Sequence, residues 1–211
     1  MNAETNLATV CQLDARERFA PDAGQPLWRV VSGALRIDSA PSGEPSRFVR
    51  LALPGDVIGV EQWAGTHDRL QLRALIACQL APMQASGDSM MQMLMDTVVV
   101  SHQRCREVVS LRTGPVAKRL QSLLLMFAQS NSATGNSVAD CPVPHLADLS
   151  DIVDAAPETV SRVFGSMREL DFLQDRRPQK ARFSSQALRG LEVVAGMSAP
   201  RASRRLQIAG A

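Results

Sequence analysis

Between Pro157 and Leu170 the sequence PETVSRVFGSMREL sets Glu158, Ser161 and Arg162 at offsets of three and four residues, so they share one side of a helix. Val160, Val163, Phe164, Met167 and Leu170 fall on the other side, as a stripe that must be buried. The polar set has the chemistry of base reading. Arginine donates two parallel hydrogen bonds to guanine, glutamate accepts from the cytosine amine, and serine bonds either a base or a phosphate. On an isolated helix the same residues would be an ordinary solvated face, so the elements that hold them outward decide between the two readings.

Those elements flank the stretch. The stretch from Leu146 to Leu170 reads as two short helices joined by a tight corner, with Asp154 at the turn position and Ala156 at the cap. Aspartate tolerates the left-handed backbone that such a corner requires, and Pro157 suits a first helical position. Ala156 stands where Ser or Thr would cap the helix, an omission costing about 1 kcal/mol. After the helix, LQDRRPQKARF (Leu173 to Phe183) predicts two short strands about a Pro-containing turn. Its Arg176, Arg177 and Lys180, with Arg182, are expected to contact phosphates beside the reading helix. From Arg162 onward nine Arg and one Lys face four acidic residues, so the last quarter is basic although the whole chain carries only +2. Arg201, Arg204 and Arg205 extend that charge into a polar tail.

The rest of the 211-residue chain supplies a frame, and its 45% hydrophobic content argues for folded domains. Leu13 to Phe19 reads as a short helix. Leu27 to Ile37 reads as two strands broken at Ser32-Gly33, and Arg47 to Leu53 leads through Pro54-Gly55-Asp56 into a hairpin. Leu70, Leu72, Ala74, Ile76, Cys78 and Leu80 alternate along one strand face. Short strands at this spacing predict an antiparallel β-sandwich or barrel. From Gly87-Asp88 the period changes, and Met91, Leu94, Val98, His102, Cys105 and Val109 recur at helical spacing. A helix of about 25 residues, about 37 Å long, outreaches a small sandwich, which predicts that its seam packs against a second copy. A second helix is expected from Val116 to Gln129.

Cys11, Cys78, Cys105 and Cys141 form no CxxC pair, which argues against a zinc ribbon or a locally ligated iron–sulfur cluster. The longest apolar run, Leu123 to Ala128, is too short to span a bilayer, and a cytoplasmic location is expected. Paired carboxylates, a nucleophile triad and a phosphate-cradling Gly loop are all missing from the sequence, so catalysis is not expected.

A strand-rich domain, a long helix and a basic winged helix pair, in that order, resemble the CRP/FNR family of bacterial transcription regulators. The resemblance covers about residues 25 to 192. It rests on Ser32-Gly33, on Pro54-Gly55-Asp56-Val57-Ile58-Gly59, which is similar to the family's PGDxxG turn, and most of all on Glu158-Thr159-Val160-Ser161-Arg162, which is similar to its ETxSR. It implies an α+β fold: a cyclic-nucleotide-binding-like sandwich or jelly roll over residues 1–86, a dimerisation helix over 87–112, and a winged helix-turn-helix over 113–211. It also implies a homodimer that binds double-stranded DNA through Glu158, Thr159, Ser161 and Arg162 and works with RNA polymerase. By resemblance to the FNR-like branch, the expected site is close to TTGA-N6-TCAA.

The input side departs from the family. Its effector pocket corresponds to Gly59, Glu61, Asp68 and Arg69, and Asp68 at the phosphate position would repel an anionic ligand. Cyclic AMP is therefore not the expected effector, nor is an iron–sulfur cluster, since only Cys11 lies near the amino terminus. Haem held by His67, His102 or Cys105 is an alternative within the family. An alternative from another class is a ligand-binding module that acts through a protein partner.

Overall fold

The computed structural model describes residues 10–20, 27–63, 70–83, 88–130, 138–177 and 179–191. Its first half is built of six strands: β1 (Cys11–Leu13), β2 (Arg18–Phe19), β3 (Leu27–Ser39), β4 (Arg47–Ala52), β5 (Val57–Ile58) and β6 (Leu70–Met83). β3 and β6 pair antiparallel along most of their length; β1 and β2 add to β6, and β4 and β5 add to β3, so all six join in one antiparallel sheet. A four-residue helix, α1 (Val60–Trp63), follows β5.

Three local expectations are corrected. Leu13 to Phe19 is not a helix: it forms β1 and β2, turning at Arg16 with φ of 74°, because the long β6 offers an edge to pair with. Ser32-Gly33 does not end a strand but lies inside β3, at a pair of register shifts. Gly33 has φ of 89°, and a β-carbon there would stand 2.2 Å from the Ala77 carbonyl oxygen, so only glycine lets the two strands approach. Pro54-Gly55-Asp56 does not close a hairpin either. β4 and β5 run in the same direction along β3, and the turn is an excursion between them, tied back by Gly55 N–H to Val30 O and Val30 N–H to Asp56 O, both 2.9 Å.

The register shifts also redistribute side chains. Leu72, Ala74, Cys78 and Leu80 share the core beneath the sheet with Leu35, Ile37 and Ile58, but Ile76 joins Leu75 on the opposite face. A bulge puts two successive residues on one side, which breaks the alternation read from the sequence. Ala34, Leu51, Leu53, Leu75 and Ile76 then share a core with the helices that follow, so the sheet is buried on both faces.

α2 (Asp88–Arg112) has the expected length of 25 residues. It stops where Gly114 takes φ of 81°, and Pro115 turns the chain into α3 (Val116–Ser130), where the Lys118 and Arg119 N–H groups bond the Pro115 carbonyl. Leu120, Leu123, Leu124 and Phe127 make α3 the centre of the second core. Around it lie β7 (Ala139–Pro142), α4 (Leu146–Ile152), α5 (Pro157–Glu169), β8 (Asp175–Arg177), β9 (Lys180–Phe183) and α6 (Ser185–Arg189), with the strands in the order β7-β9-β8. Neither β7 nor α6 was expected. α6 is started by Ser184, whose hydroxyl accepts from Ala187 N–H at 3.2 Å.

Candidate nucleic-acid interface

The corner between α4 and α5 is held by its own backbone and by one arginine. Asp154 adopts φ of 50°, Ala155 N–H bonds Ser150 O at 3.0 Å, and Arg119 of α3 donates to the carbonyl oxygens of Val153 and Asp154. Arg119 thus satisfies acceptors that the end of α4 would otherwise leave open. The sequence gives no periodic signal for that role. Ala156 occupies the cap position in extended geometry without a side-chain bond, and Pro157 begins the helix, as read from the sequence.

Along α5, Val160, Val163 and Met167 are fully buried and Phe164 nearly so, which fixes the rotation of the helix. Glu158, Ser161 and Arg162 are exposed together on the other side. Thr159 is half-buried, and its Oγ1 accepts from Arg162 Nη2 at 3.1 Å, a bond that steadies the guanidinium at the surface. Leu170 is corrected: it is the C-cap residue, past the last helical turn, and is 50% exposed.

The basic hairpin forms at the expected place, but its arginines differ in role. Alternation along β8 turns Arg177 outward and Arg176 inward. Arg176 lies over the Phe164 ring, 4.2 Å from its centroid, with its Nε buried. Burial, and then the nearby Arg168, push its pKa below the ordinary arginine value. Arg176 thus packs the hairpin on α5 through its stacked guanidinium. Arg177, Lys180 and Arg182 are exposed, and Arg177 is lightly held by Asp175 at 3.0 Å.

α2 presents a second surface. Met93 and Leu111 are buried and Thr97, Val100 and Arg104 half-buried on its inner side. Met91, Met95, Val98, His102, Cys105 and Val109 are exposed, at intervals of four, three, four, three and four. This is the heptad spacing of a two-helix seam. Leu94, expected in a dimer seam, is half-buried against Leu27, Val57 and Met93, and Met95 is the exposed residue at that step of the stripe. The slip arose because both residues satisfy a three-or-four spacing from Met91.

Two of the residues expected at an effector pocket, Gly59 and Glu61, follow β5. Gly59 takes φ of 97°, and Glu61 Oε1 accepts from Arg50 Nη2 at 3.0 Å. A separate cavity of about 150 Å³ lies between α2 and the Gly55-Asp56 turn, bounded by Arg29, Arg50, Asp56, Thr97 and Ser101; neither Gly59 nor Glu61 lines it. Asp68, Arg69 and His67 lie outside the described residues. Among the described residues no three His, Cys, Asp or Glu side chains group as metal ligands, and no helix is long and apolar enough to cross a membrane.

No protein-family model matches the sequence, and no curated protein matches it. Solved structures do. FixK2 from Bradyrhizobium japonicum superposes with a TM-score of 0.67 at 19% identity, covering 90% of this chain and 99% of that one. A CRP-family transcriptional regulator from Thermus thermophilus gives 0.65 at 20% identity, over 85% and 95%. The c-di-GMP responsive regulator CLP from Xanthomonas campestris gives 0.56 at 18%, over 84% and 94%. The chain has the α+β fold of CRP/FNR transcription regulators.

Proposed function

We propose that the protein is a homodimeric transcription regulator that binds DNA sequence-specifically, with α4, α5, β8 and β9 as a winged helix-turn-helix. One observation carries the reading: Glu158, Ser161 and Arg162 stand exposed on α5, a helix whose rotation is fixed by the buried Val160, Val163, Phe164 and Met167. Arg162 pairs with guanine, Glu158 with the cytosine amine and Ser161 with a base or phosphate, which matches a TTGA half-site. Thr159 orients Arg162 rather than contacting bases. Arg177, Lys180 and Arg182 supply phosphate contacts that set affinity without sequence preference.

The exposed heptad stripe on α2 serves as the dimer seam, pairing two copies so that their α5 helices enter successive major grooves of TTGA-N6-TCAA. His102 and Cys105 belong to that stripe, which favours packing over haem ligation. Glu61 is already engaged by Arg50, which supports a signal other than a cyclic nucleotide. RNA polymerase is the partner through which a DNA-bound dimer would act.

Gel-shift titration with a TTGA-N6-TCAA duplex and a scrambled duplex of the same composition tests the proposal. Wild type should prefer the palindrome by at least about tenfold, and Arg162→Ala should lose that preference while remaining dimeric. Equal binding to the two duplexes by the wild type rejects it.

A further inference from the structure

Three carboxylates follow one another at intervals of three on α4 and its corner: Asp148, Asp151 and Asp154. Each meets a different arginine. Asp148 accepts from Nη2 of Arg73, on β6, at 2.6 Å, and its side chain is only 10% exposed. Asp151 pairs with Nη2 of Arg36, on β3, whose Nε is held by Asp38 at 2.6 Å. Asp154 stands 3.6 Å from Nη1 of Arg112, at the end of α2. Phe48 of β4 lies between two of these arginines, its ring centroid 5.6 Å from the Arg36 guanidinium and 5.4 Å from that of Arg112.

These contacts are unequal. Burial works against the charge of Arg36, but hydrogen bonds to Asp38 and Asp151 outweigh it and hold its pKa above the ordinary value. Arg73 and Asp148 are shielded from water, Arg36 is buried while its partner Asp151 is 58% exposed, and the Arg112 pair is long and exposed and contributes little. The Arg73–Asp148 and Arg36–Asp151 pairs join the sheet to the first helix of the proposed reading head, across a boundary that also carries the apolar contact of Ala34, Leu51 and Leu75 with α3 and its neighbours. Apolar burial is non-directional and sets how firmly the two parts adhere. Ion pairs with hydrogen-bond geometry select one angle.

Resting on the DNA-binding reading above, we propose that Arg36 and Arg73 are positioning residues for DNA recognition: by docking Asp151 and Asp148 they fix the direction in which α5 faces DNA, and so the half-site spacing that a dimer accepts. Two heads that pivot must both be ordered on binding, and they tolerate several spacings. Two heads locked to their sheets accept one.

The test uses the full-length protein and TTGA palindromes with the six-base-pair spacer, or with that spacer shortened or lengthened by one base pair. Arg73→Gln and Asp148→Asn should each weaken binding to the six-base-pair site about tenfold and weaken binding to the other two far less, flattening the preference. The exchange Arg73→Asp with Asp148→Arg should restore the preference, which a general loss of stability would not allow. Small-angle X-ray scattering of the DNA-free dimer should show a broader distance distribution in the single variants and a narrower one in the exchange. Unchanged spacer ratios in folded single variants overturn the inference alone. A wild type that binds no TTGA palindrome overturns the DNA-binding reading and this inference with it.

Discussion

Arg104 on α2 grips Asp56 on the Pro54-Gly55-Asp56 turn at two points, Nε to Oδ2 at 2.8 Å and Nη2 to Oδ1 at 2.9 Å. Asp56 is 3% exposed and also accepts from Leu53 N–H at 3.0 Å, so its carboxylate is saturated inside the fold. Arg104 is further held by Glu107 at 2.7 Å. Removing one partner of such a pair strands the other charge, so Arg104→Ala is expected to cost about 3 kcal/mol. Arg104→Lys keeps the charge without the two-point geometry and should cost less. Urea denaturation of the three proteins checks the order, and equal stability of Arg104→Ala and wild type would show that the pair does not hold the helix to the turn.

Arg176 and Arg177 are adjacent in sequence but should fail in different ways. Arg176→Ala removes a half-buried cation from the Phe164 ring and is expected to lower stability by about 1–2 kcal/mol, because the hairpin loses its clamp on α5. Arg177→Ala removes an exposed charge and should leave stability within about 0.5 kcal/mol. Its effect should appear in the salt dependence of DNA binding, lowering the slope of log K against log salt by about one unit per head. A smaller salt slope from Arg176→Ala with unchanged stability would reverse these assignments.

The difference between those two arginines marks where sequence reading reached and where it stopped. Patterns with a strong period were legible: the 25-residue α2, the buried stripe of α5 from Val160 to Met167 and the basic hairpin stand where spacing put them. What depended on tertiary partners was not. Cys11 to Leu13 is a strand only because β6 is beside it, and the excursion at Pro54-Gly55-Asp56 has the composition of a hairpin turn but sends both flanking strands to β3. The bulges around Gly33 moved Ile76 to the other face, because a strict period of two cannot register an inserted residue. At the interface, the polar face of α5 was readable from offsets, whereas the grip of Arg119 on Val153 and Asp154, and of Arg73 on Asp148, joins residues tens of positions apart. No local pattern encodes such contacts.

The exchange of Leu94 for Met95 in the α2 stripe gives a direct test of the seam. Met95 is 58% exposed in a single copy, while Leu94 packs toward Leu27 and Val57. If the stripe is buried between two copies, Met95→Glu sets like charges against each other in an apolar seam and should shift the protein to monomers at micromolar concentration with its fold intact. Leu94→Ala should instead lower the stability of each copy by about 2 kcal/mol or more and leave the dimer in place. Sedimentation equilibrium with circular dichroism separates the two, and a Met95→Glu protein that stays dimeric places the seam elsewhere.

Two buried thiols should set the alkaline limit of the fold. Burial pushes Cys78 up to about 11 and Cys141 up to about 12, from an ordinary 9.0; for Cys78 a hydrogen bond from the Ala34 backbone offsets part of the rise. Below pH 9 folded and unfolded chains both hold these protons, so the protection is fully present and stability does not vary with pH on their account. Between pH 9 and the raised values the unfolded chain releases protons that the folded chain keeps. Stability therefore falls as pH rises through that window, by about 1.4 kcal/mol per pH unit for each thiol. Cys141→Ala should be less stable at neutral pH through the lost packing, yet its decline between pH 9 and pH 11 should be shallower by one proton's worth. Parallel declines in wild type and Cys141→Ala, measured by urea titration across that range, would mean that the Cys141 thiol ionises as readily in the folded protein as in the unfolded one.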